Sequence, residues 1–325
     1  MTKPKQNVGL PWLDINLERD AAVGRVVGEF IKSKKRGKHN KPKLTPPEER
    51  QLAQDMKNAE LGRSKGGRLL HTFGDTINVE NAQTASKVAP MKDWDRAAEK
   101  MHSDRDLFDL GRGRLGIKRI SEAIKADDIL SKPNLLDMVK DVTILPQSVK
   151  NYLRDPRESG FAGFINFDCL IDLGKGREGR FEVQIMPEDY YVVDRHSHRL
   201  YEMIRIIQDV PKAWQQDEDK KVEWALVTAN RALFVEHGLR SRFIGLREDH
   251  WQLSISPEDA KEIFDILDRI QNRIQATPGR HYGWMKETEE AITFAKTSVQ
   301  NIANSDPRQM LRAYRDIRRK EGLDR

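Results

Sequence analysis

The chain has 325 residues, 38% apolar and 33% charged, with 57 Lys or Arg against 51 Asp or Glu for a net charge of +6. That length allows a sizeable core and about two domains, and no run approaches the roughly 20 apolar residues of a membrane-spanning helix. Cys169 is the single cysteine, which excludes an internal disulfide, and no apolar segment behind Met1-Thr2-Lys3-Pro4-Lys5 resembles a secretion signal, so the expected location is the cytoplasm.

In chain order, residues 1–16 look irregular, and Val23, Val26, Val27, Phe30 and Ile31 then recur at helical spacing. Lys32–Lys43 holds seven Lys or Arg and no acid; it is expected to break that helix and to act either as a solvated linker or as a contact for phosphate-rich partners such as RNA. Thr45-Pro46-Pro47-Glu48 has the form of a capping box opening a helix to about Leu61. Gly62–Gly67 (GRSKGG) is expected to be a turn, and it lacks the closing Gly-Lys-Ser/Thr of a phosphate loop. A helix over Trp94–Met101, a strand near Phe108–Ile117, a helix from Ser121 and a strand at Val142–Leu145 follow.

The most informative stretch is Asp155–Arg205. Its first strand sets Ile165, Phe167, Cys169 and Ile171 against Asn166, Asp168 and Asp172. In its second strand, Phe181, Val183 and Ile185 share one face while Glu182 and Gln184 share the other. A helix entered through His196 and His198 comes next. Lys212–His237 is then helix-forming, Trp251–Ile255 has strand character, and Ser256-Pro257 opens a helix with Ile263, Ile266, Leu267, Ile270 and Ile274 on one face. Arg280 onward is expected to be helical up to a basic tail over Arg308–Arg325. The expected organisation is a basic helical N-terminal arm (1–61), a central unit (62–208) and a mostly helical C-terminal region (209–325). The fold class is α/β, a mixed sheet of about five strands flanked by helices.

Several of these pieces, in this order, resemble the synthetase domain of the RelA/SpoT family, the pyrophosphokinases that make guanosine tetra- and pentaphosphate alarmones. Gly160-Phe161 stands where the family has Gly-Tyr, Glu182-Val183-Gln184-Ile185 matches its Glu-Val-Gln-Ile strand, and His198 and Tyr201 fit the helix that follows. Upstream, Asp109 with Arg114 five residues on resembles the family's Asp-bearing strand, and Lys92–Lys100 resembles its basic donor helix. The resemblance covers residues 87–206. It implies a nucleotidyltransferase-like fold, an ATP donor with Mg²⁺, and a nucleotide or a tRNA 3′ end as acceptor. It also implies a toxin or effector role with a neutralising antitoxin as partner, because no His-Asp pair of the family's hydrolase domain precedes the region. The alternative is a degenerate, non-catalytic member that binds nucleotide or RNA.

The roles implied follow from what pyrophosphoryl transfer needs: a metal, cations on the triphosphate, and an oriented hydroxyl. Asp109 and Glu182 are the expected carboxylates, as metal ligands, with Glu182 alternatively activating the acceptor hydroxyl. Lys92, Arg96 and Lys100, at four-residue spacing, and Arg114 are the expected ATP-phosphate contacts, against the plainer reading of helix-surface pairs with Asp95 and Glu99. Phe161, Gln184, His198 and Tyr201 are the expected acceptor contacts. Phe161 would stack on a base in place of the family's Tyr, against the reading of a packed core ring. Ala162-Gly163 depart from the polar Arg-Ser pair expected next. His196 and His198 lack a third nearby ligand, which argues against a metal between them.

Overall fold

A computed structural model describes residues 11–39, 44–92, 94–102, 108–132, 139–244, 246, 253–278 and 283–322, with the backbone alone for 11–17, 35–39, 96, 99–100, 102, 108 and 212. Its strands are β1 (Ser86–Val88), β2 (Gly111–Ile117), β3 (Val142–Ile144), β4 (Lys150–Asn151), β5 (Ile165–Gly174) and β6 (Arg177–Pro187). They form one mixed sheet in the order β1-β2-β6-β5-β3, with β4 paired on β5. Among the described residues only β2 and β6 run parallel; β5 and β6 are the long antiparallel hairpin. The alternation expected there is present: Ile165, Phe167, Cys169, Ile171, Phe181, Val183 and Ile185 are all fully buried.

The helix that buries this apolar face is α2 (Pro46–Thr76). It opens as expected, with the Thr45 backbone N–H and hydroxyl both donating to the Glu48 carboxylate at 2.6 and 2.7 Å. It does not stop at Leu61. Gly62–Gly67 continues the helix, so the boundary expected there falls inside an unbroken element. The glycines serve close packing: a Cβ on Gly66 would lie 2.6 Å from the Phe181 ring, and one on Gly62 would lie 3.2 Å from Ile171. Helix glycine costs about 1 kcal/mol relative to Ala, and contact between helix and sheet outweighs it here.

The N-terminal region is also more regular than expected. Helix α1 (Pro11–His39) includes residues 11–16 and continues through Lys32–His39, so the Lys-rich run does not break it. Lys32 pairs with Glu29 at 2.6 Å and Lys34 with Glu202, which accounts for two charges of that run; residues 40–43 lie outside the described residues. Helix α1 is no free arm. Arg19 reaches Glu218 at 3.1 Å, Glu262 at 3.2 Å and Asp265 at 3.3 Å, all in the C-terminal region, and Val23, Val27 and Phe30 join the main core.

Two short helices, α3 (Ala82–Ala85) and α4 (Trp94–His102), flank β1, and α5 (Ile120–Leu130) follows β2. Helix α6 (Tyr190–Gln208) begins well before His196, so the histidines sit in mid-helix. Among the described residues the chain continues with α7 (Asp217–Ser241), α8 (Pro257–Gln275), α9 (Gly283–Ala303) and α10 (Pro307–Lys320). No strand forms over Leu253–Ile255, because this segment leads into the Ser256 cap of α8; Trp251 and Gln252 lie outside the described residues. The helix expected from Arg280 up to the basic tail is α9, and the tail itself forms a further helix, α10, capped by Asp306, which accepts from the Arg308 N–H at 2.8 Å. Among the described residues, no helix is long and apolar enough to cross a membrane.

Candidate active site

The polar face of the sheet, opposite α2, carries most of the residues expected to form the site. Register places Lys87, Arg114, Gln184, Asn166 and Lys150 side by side across β1, β2, β6, β5 and β4. The next rung holds Arg112, Glu182 and Asp168. Helix α6 and the 157–164 loop stand over this face and close a cleft of about 590 Å³ against it.

Six cations line the cleft: Lys92, Arg112, Arg114, Arg157, Arg195 and Arg199. The acids among its walls are Asp109 and Asp194. Clustered cations repel unless an anion meets them. Carboxylates already meet four of the six: Lys92 pairs with Asp109, Arg114 with Asp194 at 3.2 Å, Arg195 with Glu287 at 3.6 Å, and Arg199 with Glu202 at 3.0 Å and with Glu287.

Of the expected site residues, Lys92, Asp109, Arg114, Phe161, Gln184, His198 and Tyr201 all border this cleft. Lys92 is not on the donor helix. Its backbone N–H donates to the Leu110 carbonyl at 3.3 Å, which holds it in extended chain ahead of α4. Its ammonium instead pairs with Asp109. Asp109 is likewise not in a strand; it sits in a 3-10 turn, Phe108–Leu110, immediately before β2. Arg96 and Lys100 are on α4, and their side chains lie outside the described residues.

A chain of three hydrogen bonds runs from α6 through β2 to β6, one of them made by α6 itself. Arg114 donates from Nη2 to Asp194 at 3.2 Å and from Nε to Gln184 Oε1 at 2.9 Å. Gln184 Nε2 donates to Glu182 Oε1 at 2.6 Å. Glu182 thus connects to the cleft wall through Gln184. Burial pushes the Asp194 carboxyl above the usual range despite the opposing pull of Arg114, and burial also holds His198 below the usual histidine range, against Glu202 3.5 Å away.

Arg157 was not singled out by the sequence. Its guanidinium lies 4.1 Å from the Tyr152 ring centroid, 5.4 Å from Phe161 and 5.8 Å from Tyr201. Its Nε is buried with no hydrogen-bond partner, and among the described residues no carboxylate pairs with it. A tight loop sets its position: Arg157 N–H donates to Phe161 O at 2.9 Å, and Gly160 N–H donates back to Arg157 O at 2.8 Å. Gly160 is required there. Its φ is +76°, and a Cβ would meet Val227 O of α7 at 2.5 Å. Spacing could have found Asp194, which stands at i, i+4 and i+7 with His198 and Tyr201 on one helix face. No local pattern marks Arg157.

Phe161 is not an open platform. Its ring is 4.8 Å from Phe164, 5.2 Å from Phe234 and 5.7 Å from Tyr152, all edge-to-face, and the residue is 7% exposed. The same cluster accounts for Gly163, where a Cβ would sit 3.0 Å from both Phe161 and Phe234. Tyr201 retains partial exposure beside Arg157 and is the better placed ring. His196 is elsewhere, stacked on Phe294 at 4.7 Å.

Among the described residues no three His, Cys, Asp or Glu side chains gather as a metal site. Magnesium that travels with a triphosphate needs only one or two protein carboxylates. Asp109 fits that smaller demand, in competition with Lys92.

A second groove of about 470 Å³ lies between α1 and the end of α6 and is mostly apolar. Its polar groups satisfy one another, Arg25 reaching Asp219 at 2.7 Å and Gln216 at 3.0 Å, so it lacks the converging cations of the first cleft. The chain matches no family model and no curated protein.

Proposed function

We propose that the chain is an ATP-dependent pyrophosphokinase resembling the RelA/SpoT synthetases, acting on the 3′-hydroxyl of a nucleotide or of a tRNA. The observation that carries this reading is the six-cation cleft over the polar sheet face, with Asp109 at its edge and Glu182 tied to its wall. In this reading the cations take the triphosphate oxygens, Arg by forked contacts and Lys as point charges. Asp109 would help hold the Mg²⁺ that accompanies ATP, whose charge would offset that of the phosphates.

The acceptor hydroxyl oxygen attacks the β-phosphorus, the bond from that phosphorus to the α,β-bridging oxygen breaks, and AMP leaves. Glu182 takes the hydroxyl proton. Gln184 orients that carboxylate, and Tyr201 offers the ring for an acceptor base. The toxin or effector role and the antitoxin partner belong to this proposal as consequences of the resemblance, and the cytoplasmic location joins it from the sequence composition.

A second reading, a nucleotide-binding protein without transfer activity, is favoured by two particulars. Lys92 occupies Asp109, and Phe161 is packed among rings. Incubation with labelled ATP, magnesium and a panel of GMP, GDP, GTP, ADP, ATP and bulk tRNA separates the two. Growth of one acceptor by a pyrophosphate, abolished in Asp109→Ala and Glu182→Gln variants that still fold, supports the enzyme. Saturable ATP binding with every acceptor unchanged supports the binder.

A further inference from the structure

The last helix, α10, has two opposite faces of very different character. Tyr314 and Ile317 are buried and Met310 packs partly against the same core. At about 3.6 residues per turn, Arg308, Arg312, Arg315 and Arg319 fall within roughly 60° of arc on the side away from those residues. All four are exposed. Arg318, by contrast, is turned inward, donating to the Leu246 carbonyl at 3.2 Å with its guanidinium 5.8 Å from the Tyr314 ring. Two of the four already have partners, Arg319 meeting Asp316 loosely at 3.9 Å and Arg315 being engaged as well, while among the described residues Arg308 and Arg312 have no carboxylate partner.

We infer that this arginine stripe is a docking rail for the phosphate backbone of a nucleic acid, single-stranded RNA foremost. The fit is one of charge and spacing. Eleven residues at about 1.5 Å each carry the stripe roughly 16 Å along the helix axis, long enough to meet several phosphates of a single strand laid along it. Arginine suits phosphate oxygens because its guanidinium makes two parallel hydrogen bonds.

The helix is formed before any ligand arrives, capped by Asp306 and pinned by Tyr314, Ile317 and Arg318. A membrane surface is the weaker match. A helix lying in a bilayer interface buries its apolar face in lipid, and the apolar face of α10 is already spent on α7 and the core. The stripe shares no residue with the nucleotide cleft, so this inference stands independently of the proposed activity.

The test uses the full chain and a fluorescein-labelled single-stranded RNA, with a DNA duplex and phosphatidylserine–phosphatidylcholine vesicles as further arms, titrated over a range of salt. Arg308→Gln, Arg312→Gln, Arg315→Gln and Arg319→Gln are combined in one variant, and its all-Lys counterpart keeps the charge. The Gln variant is expected to melt like the wild type and to keep its ATP affinity. Its RNA binding should weaken at least tenfold at low salt. The slope of log affinity against log salt should become shallower by about 2.8, four contacts at about 0.7 each. The Lys variant should keep most of that slope. RNA affinity and slope unchanged in a folded Gln variant overturn the inference, as does stripe-dependent binding to vesicles with none to either nucleic acid. Stripe-dependent binding to the duplex as well as to RNA supports a rail that reads phosphates alone.

Discussion

Arg114 and Gln184 stand opposite each other in the β2–β6 register and are joined by a 2.9 Å bond from the guanidinium Nε to the amide oxygen. A guanidinium only donates, so the amide oxygen must face it and the amide nitrogen must face Glu182, whose ionised carboxylate only accepts. The register therefore fixes the direction of the glutamine and, through it, one oxygen of Glu182.

Gln184→Leu keeps the side chain's bulk and removes both bonds. Turnover is expected to fall on the order of 100-fold, the cost of misplacing a reacting group by about an ångström, while the KM for ATP changes little. A single-turnover assay with an ATP titration checks this. An unchanged rate would mean that Glu182 needs no support from Gln184.

The parts of this arrangement that the sequence made legible share one physical cause. Strands β5 and β6 have one face under α2 and one face wet, so their residues had to alternate, and the alternation of Phe181, Glu182, Val183 and Gln184 exposed the site's wall directly. Where local and tertiary preferences conflict, the sequence misled. Gly62 and Gly66 look like a turn, and only the approach of Ile171 and Phe181 explains them as helix. Lys92 keeps four-residue spacing to Arg96, but the Leu110 carbonyl holds its backbone out of the helix. Arg157 lies in a loop, and rings from three separate segments make its environment.

Asp194 carries a pH signature. Its carboxyl is raised by burial, more than Arg114 lowers it. A group whose folded value is raised contributes stability that is complete below its unfolded value, about 3.9 for Asp, and is lost as pH rises through the folded value. Asp194→Asn removes that loss. The melting temperature of the variant relative to wild type should therefore rise as pH is taken from the acid side of about 3.9 up to neutrality. A relative melting temperature that falls over this interval would show that the Arg114 pair dominates burial. Nucleotide affinity of the same variant reports separately on whether Arg114 still points into the cleft.

Arg157 should matter for anion binding more than for stability, since aromatic rings hold it and, among the described residues, no acid pairs with it. Arg157→Ala is expected to weaken binding of the phosphate-bearing ligand by about 1.5–3 kcal/mol, the worth of a charged hydrogen bond, roughly ten- to a hundred-fold. Arg157→Lys keeps the charge and loses the planar stack on Tyr152, and should recover part of the affinity. Isothermal titration with ATP, GDP and GTP measures both variants and identifies which ligand uses this cation. Wild-type affinity for all three in the Ala variant would remove Arg157 from the site.

Phe161 separates a packing role from a binding one. Three rings lie within 6 Å of its centroid, and the residue is 7% exposed at the cleft edge. Truncating a buried Phe costs about 3–5 kcal/mol, whereas losing a stacked base costs about 1–3 kcal/mol of ligand binding, roughly five- to a hundred-fold. Phe161→Ala is expected to lower the melting temperature strongly. Measured well below that temperature, acceptor affinity should change less than about fivefold. Phe161→Tyr adds a hydroxyl at the rim of the cluster and should melt below wild type if that oxygen is left without a partner. Tyr201→Ala supplies the contrast, with acceptor binding reduced and melting nearly unchanged, because its ring is only partly buried. The opposite pattern, a stable Phe161→Ala protein with a large loss of acceptor affinity, would return the base platform to Phe161 and demand that the 157–164 loop open to receive the ligand.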